Sequence, residues 1–201
     1  MKLLLILILI ILTASCGTSS SLKNFDTKVT TKEYLQDSLA FEICQMYGLD
    51  QGVRLSPGFK GKWDFIDPID SLNFTKVINF VKKNGYPTAK LLGRNNYKHE
   101  CVSTSFHAIL LHNPVQLVKN KEYFNLFLEE VNKGNLSREL FATMLDKYYW
   151  LKKGNNGHVL YGSQFGKPCI QSKEETNKAR QEIGLNALSE SEFIDCSTSS
   201  K

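Results

Sequence analysis

The chain has 201 residues, 25 Lys and Arg against 20 Asp and Glu, and a hydrophobic content of 42%. Those figures fit one modest globular domain and exclude a chain too polar and too charged to fold. The net charge of +5 is mild and its lysines and arginines are scattered. No nucleic-acid partner is expected, since that would call for a concentrated basic stripe.

The first element is not part of a fold. Lys2 is followed by a run of Leu and Ile to Leu12, which is shorter than the roughly 20 residues needed to cross a bilayer. Small residues Thr13, Ala14 and Ser15 then lead to Cys16, the order of a secretory signal. The stretch Leu12-Thr13-Ala14-Ser15-Cys16 resembles a bacterial lipobox, with Thr13 where Leu is more usual. The resemblance implies cleavage before Cys16 and acylation of that residue by palmitate-like chains. Each buried methylene contributes about 0.8 kcal/mol, so several chains hold a protein to a membrane where one binds reversibly. Residues 1–15 are thus read as a lipoprotein signal peptide, and the location as the cell envelope, lipid-anchored at the periplasmic face or outer membrane. The plainer alternative is an ordinary signal or uncleaved anchor with an incidental Cys16. Removing residues 1–15 takes away one lysine and leaves a charge of about +4.

Residues 16–29 are rich in Ser, Thr and Lys and read as a flexible tether. A single domain is expected over 30–196, followed by a disordered tail over 197–201. Within it helical periodicity dominates. Thr30 or Thr31 opens a helix to about Tyr47 carrying Leu35, Leu39, Ile43 and Met46, with Gly48 as its stop. Gly52, Pro57, Gly58, Gly61 and Pro68 predict a loop from Gly48 to Pro68. Asp70 or Ser71 then starts a helix with Phe74, Val77, Ile78 and Val81, ended by Gly85 and Pro87.

A third helix is expected from about Asn95 to Asn113, broken at Pro114, which suits the first turn of the next. That fourth helix carries Leu117, Tyr123, Phe124, Phe127, Leu128 and Val131 and closes at Gly134. Ser137 starts a fifth with Leu140, Phe141, Met144, Leu145, Tyr148 and Leu151, ended at Gly154 to Gly157. The segment 158–165 reads as a short irregular or β-like piece. Ser172 and Glu175 have capping-box spacing for a last helix to Ile183, terminated by Gly184. The fold class is therefore mainly α, one domain of about six helices.

Besides Cys16 there are Cys44, Cys101, Cys169 and Cys196. An exported compartment permits disulfides, and four cysteines allow three connectivities that spacing does not decide. Buried, unpaired thiols are the other reading, and Cys196, in the polar tail, looks the least important of the four.

Five short stretches fall in one order: Gly85-Tyr86-Pro87-Thr88, Leu111-His112-Asn113-Pro114, Asp146-Lys147, Val159-Leu160-Tyr161-Gly162-Ser163-Gln164 and Arg180-Gln181-Glu182-Ile183-Gly184-Leu185. Together they resemble a bacterial domain-of-unknown-function family marked by Gly-Trp-Pro-Thr, Gln-His-Ala-Asp, Asp-Arg and Gln-x-Tyr-Gly-Thr-Gln, closing on Arg-x-x-Ile-Gly-Leu. The likeness covers residues 70–185. Tyr86, Leu111, Lys147 and Val159 depart from it, and Lys lacks the bidentate fork of Arg. A family of unassigned activity implies a fold but no mechanism.

These stretches supply the candidate chemistry. On a wheel of about 100° per residue, His112 lies roughly 105° from the stripe of Val102, Phe106, Ile109 and Leu110, at the border of core and solvent. An imidazole there can act as general base or ligand, or simply cap a helix end. Asp146 lies about 175° from the stripe of its own helix, which predicts a solvated carboxylate unless a second surface covers that face. In that case it can orient His112 or accept from Tyr161 or Gln164. Gly162 suits a turn with positive φ between the latter two. Arg180 can meet an anion or Asp146, a salt bridge being the commoner outcome. His99, His107 and His158 show no metal spacing, and His107 and His112 lie about 140° apart. No metal and no cofactor are implied.

Three functions from different classes follow. The first is a membrane-tethered module binding a small-molecule or protein ligand in a cleft lined by His112, Tyr161 and Gln164. The second is a hydrolase or transferase in which Asp146 orients His112 as base. The third is a purely structural lipoprotein.

Overall fold

The computed structural model describes residues 30–56, 58, 60–152 and 158–197. The expected signal peptide, Cys16 and the whole of the expected tether over 16–29 lie outside them, as do the glycines of 154–157 expected to end the fifth helix and most of the expected tail. Helix α1 spans Thr31–Leu55 and α2 spans Lys62–Asn84. Short helices follow: α3, Ala89–Leu92; α4, Arg94–Tyr97; α5, Glu100–Ser103. Then come α6, Ser105–His112, α7, Pro114–Lys119, α8, Lys121–Asn132, α9, Arg138–Leu151 and α10, Lys173–Glu182. Two 3₁₀ turns, Ile170–Ser172 and Glu190–Glu192, flank α10. Among the described residues there is no extended sheet, only one parallel bridge between Cys169 and Ile194. The mainly α architecture is as expected.

The expected loop at 48–68 is instead mostly helix. α1 runs through Gly48 and Gly52 because Ile43, Met46, Asp50 and Val53 continue one buried face. That packing outweighs the roughly 1 kcal/mol each glycine costs inside a helix. α2 begins at Lys62, well before Asp70, with Pro68 inside it. Pro68 and Asp64 are both exposed, so the carbonyl deprived of its N–H partner faces water. Leu35 is 57% exposed and not part of the core.

Antiparallel packing of α1 on α2 is tied by Asn73, fully buried, whose Nδ2 donates to the Met46 carbonyl at 3.0 Å. α6 packs against both. Its Phe106 meets Phe80 edge-on at 5.2 Å and Tyr86 at 5.8 Å. The third and fourth expected helices each divide. Residues 94–112 form three pieces, and Asn120 interrupts 114–132, its side chain accepting from the amides of Glu122 and Tyr123 as the cap of α8. Pro114 does occupy the first turn of α7, and Ser137 caps α9 through the Leu140 amide. The capping box expected at Ser172 is absent, because the Ser172 hydroxyl donates to the Cys169 carbonyl at 2.9 Å. A capping box forms at Ser189 and Glu192.

Two disulfides close the chain on itself, Cys44–Cys101 between α1 and α5 and Cys169–Cys196 beside the bridge. Cys196 is therefore a structural residue, contrary to expectation.

Candidate functional site

The candidate residues separate into two regions. In the first, His112 ends α6 with its side chain 28% exposed, and its Nδ1 lies 2.8 Å from Oδ1 of Asp50. Asp50 is completely buried. The same carboxylate accepts from Arg54 at 2.9 Å and from Gln51 at 2.6 Å. Arg54 reaches on to Asp70, with both Asp70 oxygens within 2.7 Å of one guanidinium nitrogen. Asn113 adds a bond from its Nδ2 to the Asp70 carbonyl at 3.3 Å. The partner of His112 is thus Asp50, and the expected pairing with Asp146 does not occur.

This cluster was legible only in part. Asp50 and Arg54 stand four apart, a helical ion-pair spacing, but reading Gly48 as a helix stop put both in a loop. Asp70 is an internal residue of α2 and not its cap. Asp50, Asp70 and His112 bring one ligand atom each within 4.8 Å of one another. Arg54 lies between the two carboxylates, so their cation is the guanidinium, and a divalent ion would have to displace it.

In the second region, Asp146 is fully buried and accepts three backbone N–H bonds, from Leu160 at 2.8 Å, Tyr161 at 2.7 Å and Ser163 at 3.0 Å. The face of α9 that was expected to be solvated is covered by the segment 158–163. Burial pushes the Asp146 carboxyl up from its ordinary value, and the three N–H groups draw it part of the way back. Gly162 takes φ 69° as expected, and a Cβ there would stand 3.0 Å from Leu188 and 3.2 Å from Pro168. That turn does not aim Tyr161 and Gln164 at one place, since Tyr161 is 5% exposed while Gln164 is exposed. Arg180 donates to the carbonyls of Tyr161 and Asn186 and thereby holds the turn on α10; no bond to Asp146 forms.

Gly85-Tyr86-Pro87-Thr88 is built the same way. Glu130, 2% exposed, accepts from the Tyr86 amide at 2.8 Å, from Asn135 at 2.8 Å and from Lys133 at 2.9 Å. Burial raises the Glu130 pKa, but those donors outweigh it and hold the carboxyl below its usual value. Thr88 caps α3 by accepting from the Leu91 amide. Four of the five stretches that looked functional are therefore ties between irregular segments and the helices.

The expected cleft shared by His112, Tyr161 and Gln164 does not form. Tyr161 instead lines an open groove of about 290 Å³ with Lys119, Lys121, Phe124, Tyr149 and Glu182. Burial pushes Tyr149 up to about 12 and Tyr161 higher still, so both phenols stay protonated. A larger hollow of about 480 Å³ lies between Tyr149, Gln171, Glu175 and the Cys169–Cys196 disulfide. Among the described residues no helix is long and apolar enough to cross a membrane. Comparison with protein-family models, with curated proteins and with solved structures finds nothing that matches this chain.

Proposed function

We propose that the chain is a lipid-anchored protein of a bacterial cell envelope, held by acyl chains on Cys16, whose helical domain binds a ligand. The observation that carries this reading is the pairing of Cys44 with Cys101 and of Cys169 with Cys196. Structural disulfides persist in oxidising compartments outside the cytosol, which is where the leader and its lipobox-like end would send the chain. The groove beside Tyr161 has an aromatic floor and two exposed lysines at its rim. It suits a small anion with an apolar or aromatic body.

Anchorage is tested by metabolic labelling with palmitate. The full chain is expected to take up the label and its Cys16→Ala variant to take up none; equal labelling of the two, or no labelling of the full chain, would rule the anchor out. The groove is tested with the anionic aromatic dye anilinonaphthalene sulfonate. Saturable binding weakened at least fivefold by a Lys119→Glu/Lys121→Glu double variant is the expected result, and unaltered binding opposes it.

A second reading, an enzyme using His112 as base, is favoured by one observation. The buried Asp50 carboxylate fixes the imidazole at 2.8 Å, the arrangement that orients a general base. Among the described residues no Ser, Cys or Thr side chain makes a hydrogen bond to His112, and we rank it second.

A further inference from the structure

The outward face of α1 carries Tyr34, Phe41 and Leu55, which are 70%, 66% and 74% exposed. With Gly48 they recur every seven residues. Seven residues fall only about 20° short of two full turns, so all four lie along one shallow stripe, the spacing with which one helix seats against another. At Gly48 and Gly52 a Cβ would meet nothing within 4 Å. These two glycines, with Leu49, Val53, Phe65 and Ile69, wall an apolar hollow of about 460 Å³.

The stripe is complementary to itself when reversed. A two-fold axis passing between residues 44 and 45 sets Phe41 against the partner's Gly48 and Tyr34 against the partner's Leu55. A protruding ring then meets a glycine-floored hollow, twice, as symmetry requires of an isologous contact. At roughly 200 Å² per large side chain, Tyr34, Phe41, Leu49, Leu55 and Phe65 leave about 600 Å² open. That is most of the approximately 800 Å² each partner contributes to a standard interface. A bilayer would be met by any flat apolar face and gives no reason for the pairing of bulk with hollow at matched positions.

We propose that two copies of this chain associate through α1, antiparallel, with the Phe41 ring of each in the Gly48–Gly52 hollow of the other. Gln45, exposed on the same face, then lies beside the partner's Gln45, whereas Tyr34 and the partner's Tyr34 are about 32 Å apart along the helix axis.

Cross-linking of the full chain in membranes decides the matter. Gln45→Cys is expected to give a band at twice the monomer mass on a non-reducing gel, and Tyr34→Cys is expected to stay at monomer mass. Adding Phe41→Asp to Gln45→Cys is expected to lower the cross-linked fraction at least tenfold; because Phe41 is two-thirds exposed, the melting temperature stays within a few degrees. Three results overturn the proposal: Gln45→Cys at monomer mass, as a lipid surface on this face would give; a Gln45→Cys adduct of another mass, as a different protein would give; or cross-linking of Tyr34→Cys as efficient as that of Gln45→Cys, which a parallel pair would give.

Discussion

Asp146 is buried on the face of α9 that its own apolar stripe leaves vacant, and the three N–H groups it accepts all come from the segment 158–163. Removing the carboxylate would strand those donors, and an unsatisfied buried donor costs about 1–3 kcal/mol. Asp146→Ala is therefore expected to lower stability by roughly 3–5 kcal/mol in urea unfolding. Glu130 ties Tyr86 in the same manner, with a consequence for pH. Its folded pKa is depressed, so its contribution is present above the pKa of an unfolded glutamate and is lost as pH falls through the folded value. In Glu130→Gln the loss of melting temperature between pH 5 and pH 3 is expected to be shallower than in the wild type. An unchanged acid limb would contradict the role assigned to Glu130. At the other cluster, Arg54 pairs with both Asp50 and Asp70, whereas His112 pairs with Asp50 alone. Arg54→Ala leaves a buried carboxylate without its permanent cation and is expected to cost about 3–5 kcal/mol. His112→Ala should cost less, and guanidinium unfolding of the two variants makes the comparison.

The element scale shows where reading a sequence succeeds. Pro114, Ser137 and Gly184 are boundary residues whose chemistry acts locally, and each stands at the helix end it was expected to mark. Gly48, Gly52 and Pro68 mislead because their cost is intrinsic and small beside the burial of Ile43, Met46, Val53, Ile66 and Phe74, which only the partner helix supplies. The wheel placed His112 correctly at a border. It placed Asp146 in solvent because a wheel relates a residue to its own helix, and the cover over Asp146 arrives from residues 158–163. Cysteine pairing was equally out of reach, since proximity across 57 positions is a property of the packed chain. The Cys44–Cys101 bridge closes that loop between α1 and α5. On the chain-entropy account it stabilises the fold by about 4 kcal/mol, so Cys44→Ser/Cys101→Ser is expected to melt well below the wild type. The shorter loop of 27 positions at Cys169–Cys196 gives a somewhat smaller loss.

At the scale of the whole molecule, α1 has two faces with different duties. Its inner face holds Ile43, Met46 and the Asp50 that binds His112, while its outer face leaves Tyr34, Phe41 and Leu55 open. A domain of helices tied by two disulfides and three buried carboxylates, Asp50, Glu130 and Asp146, suits the oxidising compartment proposed for it. Tethering it through a short polar segment to lipid would confine copies to two dimensions and raise their encounter rate. The most direct measurement is the mass of the amino-terminal peptide of the protein recovered from the membranes of cells expressing the full chain. The proposed anchor requires a peptide beginning at Cys16 and carrying acyl chains on that residue. A peptide beginning at Met1, or an unmodified Cys16, would contradict it.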